Sequence, residues 1–177
     1  QTWTLHPFKF ADGAAQMFAY DVDGDGLKDV ITAWHCHLYG LVWYQQAKSS
    51  SGEITWQQHV ILPSKPDVNS SDLRISQLHA FDLVDMNGDG LLDILTGKRF
   101  WAHGPKGDVE PDAPAVVYWF ELQRKAGQTP QFIPHLVDDD SGVGTQVAAA
   151  DLNGDGTPDV IVGNKKGNFI HLSQRAE

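Results

Sequence analysis

Three short segments of this chain carry oxygen donors at a spacing that can wrap a hard cation. They are Asp21-Val-Asp-Gly-Asp-Gly-Leu-Lys-Asp29, Asp85-Met-Asn-Gly-Asp-Gly-Leu-Leu-Asp93 and Asp151-Leu-Asn-Gly-Asp-Gly-Thr-Pro-Asp159. Side-chain oxygens at positions 1, 3, 5 and 9, with a backbone carbonyl at position 7, suit Ca²⁺, and Gly at position 6 permits the tight turn. The expected ligands are Asp21, Asp23, Asp25, Asp29 and the Leu27 carbonyl in the first loop. In the second they are Asp85, Asn87, Asp89, Asp93 and the Leu91 carbonyl. In the third they are Asp151, Asn153, Asp155, Asp159 and the Thr157 carbonyl. Three Ca²⁺ sites are therefore expected, each acting as a staple between flanking elements. An EF-hand opens with a similar string but needs a bidentate Glu at position 12 and a helix on each side. Position 12 here is Thr32, Thr96 and Val162, so that arrangement is excluded.

The elements that position these loops repeat with them. The first aspartates stand at 21, 85 and 151, a nearly constant period, which is the mark of a repeat architecture. Before each loop lies a short run (Gln16 to Tyr20, Leu78 to Val84, Gln146 to Ala150), and after each a β-branched run beginning at Asp29, Asp93 or Asp159. A third run follows at Gly40 to Tyr44, Val116 to Phe120 and Asn168 to Leu172. A fourth, carrying a histidine, follows at Trp56 to Ile61 and Phe132 to Val137. Short, β-branched or aromatic runs bounded by Gly, Pro, Asn, Asp and Ser read as strands, and no helical period extends beyond a turn or two. Four-stranded antiparallel repeats stacked radially make a β-propeller. The expected fold is all-β: a single domain over 1–177, with blades at about 14–62, 77–138 and 144–177. The third repeat stops after its third strand. The opening segment Trp3-Thr-Leu-His6-Pro-Phe resembles a fourth strand, so 1–10 is expected to complete the last blade or a preceding one. The stretches Ser49 to Ser76 and Phe100 to Pro114 read as loops within or between blades.

Strand direction places a second set of chemically able residues. The acidic loop joins strands one and two, so the start of strand one and the end of strand two lie on the opposite face. His35 and His37 follow one second strand, His79 enters a first strand, Arg99, Trp101 and His103 follow another second strand, and Lys165 follows the last. His35 and His37 flank one residue and would point the same way along a strand; with His79 or His103 they have the makings of a transition-metal site. The alternative is a set of hydrogen-bonded or exposed loop histidines. Trp101 and Arg99 are able to stack on and clamp a sugar or an anionic group; packing between blades and pairing with an acid is the alternative. His6, His59 and His135 recur at one place in the fourth strand and His171 lies in a third, so all four read as structural. Cys36 reads as a small buried residue.

Composition narrows the partners. Lys plus Arg number 13 against 23 Asp plus Glu, a formal net charge of −10. A phosphate-backbone binder needs a basic footprint, so nucleic acid is not an expected partner. No apolar run reaches the ~20 residues of a membrane span. The single cysteine rules out a disulfide within the chain. No G-x-S-x-G, HExxH or phosphate-loop string is present.

On these loops and flanks the chain resembles FG-GAP or VCBS-type repeats of integrin α-like β-propellers, three times over. The strings Gly13-Ala-Ala-Gln-Met-Phe, Tyr39-Gly-Leu-Val-Trp-Tyr-Gln-Gln, Gly97-Lys-Arg-Phe-Trp-Ala-His103 and Ser141-Gly-Val-Gly-Thr-Gln are similar to segments of secreted bacterial FG-GAP proteins. The resemblance implies a secreted, periplasmic or cell-surface setting, where calcium is roughly millimolar, and a ligand face opposite the calcium loops. It also implies more blades than three, supplied by a homo-oligomer or by further blades of a longer propeller. The leading expectation is a non-catalytic module binding a glycan or a protein through His35, His37, His79, Arg99, Trp101, His103 and Lys165. The alternatives are a propeller enzyme acting on sugars, resembling polysaccharide lyases or sugar dehydratases, with His35, His37, His79, Arg99 and His103 as catalytic candidates, or a purely structural module.

Overall fold

The computed structural model describes residues 1–67 and 69–174. Eleven strands build three antiparallel sheets among the described residues. The first sheet contains β1 (Met17–Tyr20), β2 (Asp29–Ala33), β3 (Leu41–Lys48) and β4 (Ile54–Leu62), in that order. The second contains β5 (Leu78–Val84), β6 (Asp93–Lys98), β7 (Val117–Gln123) and β8 (Gln131–Asp138). The third contains β9 (Gln146–Ala150), β10 (Asp159–Asn164) and β11 (Gly167–His171), with β10 central. Each acidic loop joins the first strand of its sheet to the second. This is the expected blade pattern: two complete meanders and one of three strands. The expected fourth strand, Trp56 to Ile61, lies within β4, so only the rest of the stretch from Ser49 to Ser76 is irregular.

Alternation along the third strands decides how the sheets stack. Trp43 and Phe120 join one apolar core with Ile31, Leu41, Leu78, Phe81, Ile94 and Leu122, which fills the seam between the first two sheets. Leu95, Val117, Val143, Val160 and Val162 form a second core between the second and third sheets, with Trp119 packed on it. Two hydrogen bonds fix the stacking: Phe81 N–H donates to Gln16 Oε1 at 2.8 Å, and Ala149 N–H to Asp82 Oδ2 at 3.0 Å. A third contact crosses the first seam. Arg124, at the β7–β8 turn, donates to the carbonyls of Val22 (2.7 Å) and Asp21 in the first acidic loop and lies over the Tyr20 ring.

The recurrent histidines serve the sheets. His59 faces Trp43 in the β3–β4 register and stacks on it at 4.2 Å between centroids; His135 faces Trp119 and stacks at 4.3 Å. His59 Nε2 meets Gln45 Oε1 at 3.0 Å, and His135 Nε2 meets Glu121 Oε2 at 2.9 Å. His171 Nε2 lies 3.1 Å from Ser141 Oγ.

The opening segment departs from expectation: residues 1–10 form no strand, and β11 keeps an open edge among the described residues. The physical reason lies in Phe8 and Phe10. Phe10 packs at 5.1 Å from Tyr44 and 4.9 Å from Trp56, and Phe8 stands against the same pair. Tyr44 is buried although it points away from the second sheet. The segment thus covers the outer face of the first sheet. At the other end of the stack Ile170 and Leu172 are 62% and 57% exposed, an apolar face of the kind a further blade would cover.

Candidate functional site

The three acidic loops close by one hydrogen-bond pattern, repeated almost atom for atom. The position-1 carboxylate accepts the N–H groups of both glycines. Asp21 takes Gly24 at 2.7 Å and Gly26 at 3.1 Å, Asp85 takes Gly88 at 2.7 Å and Gly90 at 2.9 Å, and Asp151 takes Gly154 at 2.7 Å and Gly156 at 2.9 Å. Both glycines of every loop have φ between +80° and +91°, a region costly for any residue with a Cβ, which explains Gly at positions 4 and 6. The position-3 side chain accepts the N–H of position 5, and the position-5 carboxylate that of position 7, at 2.7–3.0 Å.

Position 9 has a further role. Asp29, Asp93 and Asp159 are fully buried. One oxygen of each accepts the N–H of loop position 2 (Val22, Met86, Leu152) at 2.9–3.0 Å. The other accepts an N–H at the far end of the third-strand region (Gln46, Leu122, Ser173) at 2.8 Å. Each is therefore a tether between loop and sheet, independent of any ion. Burial pushes Asp93 up to about 6, with the loop carboxylates Asp89 and Asp85 adding to it, and raises Asp29 in the same direction.

The donor set fits a hard cation. In the first loop the ligand oxygens of Asp21, Asp23 and Asp25 lie within 4.8 Å of one another. Every donor is an oxygen, as calcium requires. Asn87 and Asn153 replace one carboxylate in the other two loops, where their amides donate to Asp89 Oδ2 (3.2 Å) and Asp155 Oδ2 (2.9 Å). In the first loop Gln45 of β3 reaches Asp23 instead.

At the opposite ends of these strands the segments expected to converge do meet. Bridges pair Gly13 with His35, Tyr39 with Ser76 and Arg99 with Val143. His37 stands at the centre: its ring is 4.7 Å from His103, 5.6 Å from His79 and 6.3 Å from His35. Burial pulls the His37 imidazole below its ordinary range, and the charges of His103, Arg99 and His35 act in the same direction. Burial and Arg99 do likewise for His79. Both shifts favour the neutral ring. His35 is committed elsewhere: its Nδ1 accepts the His37 N–H at 3.2 Å and its ring lies against Gly13. Trp101 is less open than a stacking platform requires, because it lies flat on Phe100 at 5.0 Å and its indole N–H donates to Pro111 O. Lys165 is exposed and donates to Ala102 O at 3.1 Å, joining the third sheet to the 100–112 loop.

Two participants escape sequence reasoning. Asp108, in the long irregular loop, accepts the backbone N–H of His103 and meets its ring Nδ1 at 3.0 Å, with its own side chain 1% exposed. Burial pulls Asp108 upward, but the bonds from His103 outweigh it and hold its carboxyl below the usual range. Cys36, read as a plain core residue, lies with its sulfur beside ring nitrogens of His37 and His79. The adjacency Cys36-His37 was the available signal; only the fold brings His79 to it.

A family model described as an FG-GAP-like repeat matches residues 21–96 and again 85–162. No curated protein matches the chain.

Proposed function

This chain belongs to the FG-GAP-like repeat family, and we propose that it is a calcium-stapled propeller module that presents a binding face on the side away from its acidic loops. One observation carries the reading: the hydrogen-bond cage recurs in all three loops, and in the first it leaves the oxygens of Asp21, Asp23 and Asp25 grouped. The proposed ligand is a polar glycan or an acidic protein surface, because Arg99 and Lys165 stand on that face of a chain whose net charge is −10. Loops of this kind hold calcium at about 10⁻⁴–10⁻³ M, which supports an extracytoplasmic setting: secreted, periplasmic or cell-surface. The bare apolar face around Ile170 and Leu172 supports closure by a second copy or by further blades. No helix among the described residues is long and apolar enough to cross a membrane.

Calorimetric titration of chelated protein tests the calcium reading. Three Ca²⁺ per chain are expected. At 1 mM calcium each loop adds about 0.4–1.4 kcal/mol of stability for dissociation constants of that size. Absence of both saturable binding and any shift in Tm would overturn it. Titrating the calcium-loaded chain with neutral and uronate-containing polysaccharides tests the face; Arg99→Ala is expected to weaken any binding at least tenfold, and an unchanged affinity would place the ligand elsewhere.

A further inference from the structure

We propose that Cys36, His37 and His79 hold a transition-metal ion of the Zn²⁺ class, with His103, oriented by Asp108, standing at its mouth. The inference does not rest on the calcium loops. The sulfur of Cys36 and one ring nitrogen each of His37 and His79 lie within 4.8 Å of one another. Around one tetrahedral ion such atoms stand about 3.3–3.7 Å apart, so rotations of two imidazoles close the set. A second group, His37, His103 and Asp108, meets the same distance limit and shares His37.

The hydrogen bonds distinguish this cluster from ordinary loop histidines. His35, His103, His59, His135 and His171 each have a polar partner. His37 Nδ1 is buried and has none. Buried polar atoms are nearly always satisfied, and an exception asks for a ligand. The other such side-chain atom among the described residues is Gln77 Oε1, two positions before His79 and on the strand entry bridged to the loop after His37. Both orphaned atoms therefore sit on this one face.

The surroundings complete the chemistry. Thiolate and imidazole select Zn²⁺, Co²⁺ or Cu⁺ over Ca²⁺ or Mg²⁺. Binding transfers the Cys36 Sγ proton to solvent, so the set gains one negative charge that offsets nearby Arg99. The carboxylate of Asp108 on His103 Nδ1 repeats the outer-sphere device that fixes a metal-facing imidazole. With three protein ligands, the fourth position is left toward the exposed side of His103, open to water or to an anionic ligand.

The test uses the full chain in excess Ca²⁺, so that the acidic loops are filled, and titrates it with Co²⁺. One equivalent is expected to bind, giving tetrahedral d–d bands and a thiolate-to-cobalt charge-transfer band, both bleached by stoichiometric Zn²⁺. Cys36→Ser is expected to abolish the charge-transfer band. His79→Ala is expected to cost at least 100-fold in affinity, and Asp108→Asn, which loosens a ring outside the three ligands, less than about tenfold. Lys125→Ala, at the exposed β7–β8 turn, is expected to change nothing. Should a variant fail to fold, the wild-type titration still decides. Absence of a saturable one-to-one site, an octahedral spectrum without the charge-transfer band, or affinity unchanged in folded His79→Ala would each overturn the proposal.

Discussion

Asp93→Ala is the sharpest perturbation of the loop-to-sheet tether. Asp93 is fully buried and accepts N–H groups from Met86 at 3.0 Å and Leu122 at 2.8 Å. Removing it leaves both donors without an acceptor, at about 1–3 kcal/mol each. The charge of Asp93 works against the fold: with its pKa raised to about 6, ionisation destabilises the native state increasingly as pH rises from about 4, and fully above about 6. Losing that charge offsets about 3 kcal/mol of the cost at pH 7.5, so the comparison is made near pH 4, where Asp93 is protonated in the fold and about 2–5 kcal/mol is expected in chelator. For a domain of this size that lowers Tm by roughly 5–20 °C. Asp93→Asn keeps one acceptor and removes the charge, so it is expected to cost less than the alanine, and acidifying toward pH 4 is expected to stabilise the wild type relative to it. Urea melts in chelator and again in calcium measure both variants. The reasoning fails if Asp93→Ala in chelator near pH 4 lies within about 0.5 kcal/mol of the wild type, for then the bonds from Met86 and Leu122 do not hold the loop to the sheet.

Trp43→Ala, which opens the first inter-sheet core and strands the ring of His59, is expected to cost about 3–5 kcal/mol by denaturant melting; a loss below 1 kcal/mol would refute that packing. At Gly97 a Cβ would stand 2.1 Å from Val116 O, so Gly97→Ala is expected to cost about 3 kcal/mol or more by disturbing the β6–β7 pairing; an unchanged Tm would contradict the close approach. Asp138 is held at about 2, chiefly by the Ser141 side chain, with the Asp140 and Ser141 N–H groups adding to it. Because that value is depressed, the stability advantage over Asp138→Asn is expected to be complete above about pH 4 and to vanish as pH falls toward 2; an advantage that persists at pH 2 would refute it.

How much of this was legible in the chain depends on whether the information repeats. The acidic loops, the strands beside them and the stacked histidines recur, and β5 (Leu78–Val84) and β9 (Gln146–Ala150) lie where the runs placed them. Recurrence marked His59 and His135 as structural before any partner was known. The convergence of His37, His79 and His103 followed from strand direction alone, since an antiparallel meander fixes which ends share a face. What was not legible is singular and non-local. Asp108 reaches His103 through the fold of a loop with no periodicity. Cys36 gains meaning only when β5 delivers His79. The Trp3-to-Phe8 segment has the pattern of a strand, but Phe8 and Phe10 find cover on Tyr44 and Trp56 instead.

Arg124 reaches out of the second sheet to grasp two carbonyls at the start of the first acidic loop. That turn therefore cannot loosen or tighten by itself: any shift of its opening residues pulls on the β7–β8 hairpin. The first acidic turn and the neighbouring hairpin are thereby tied across the seam, so that displacing either one strips side-chain bonds from the other.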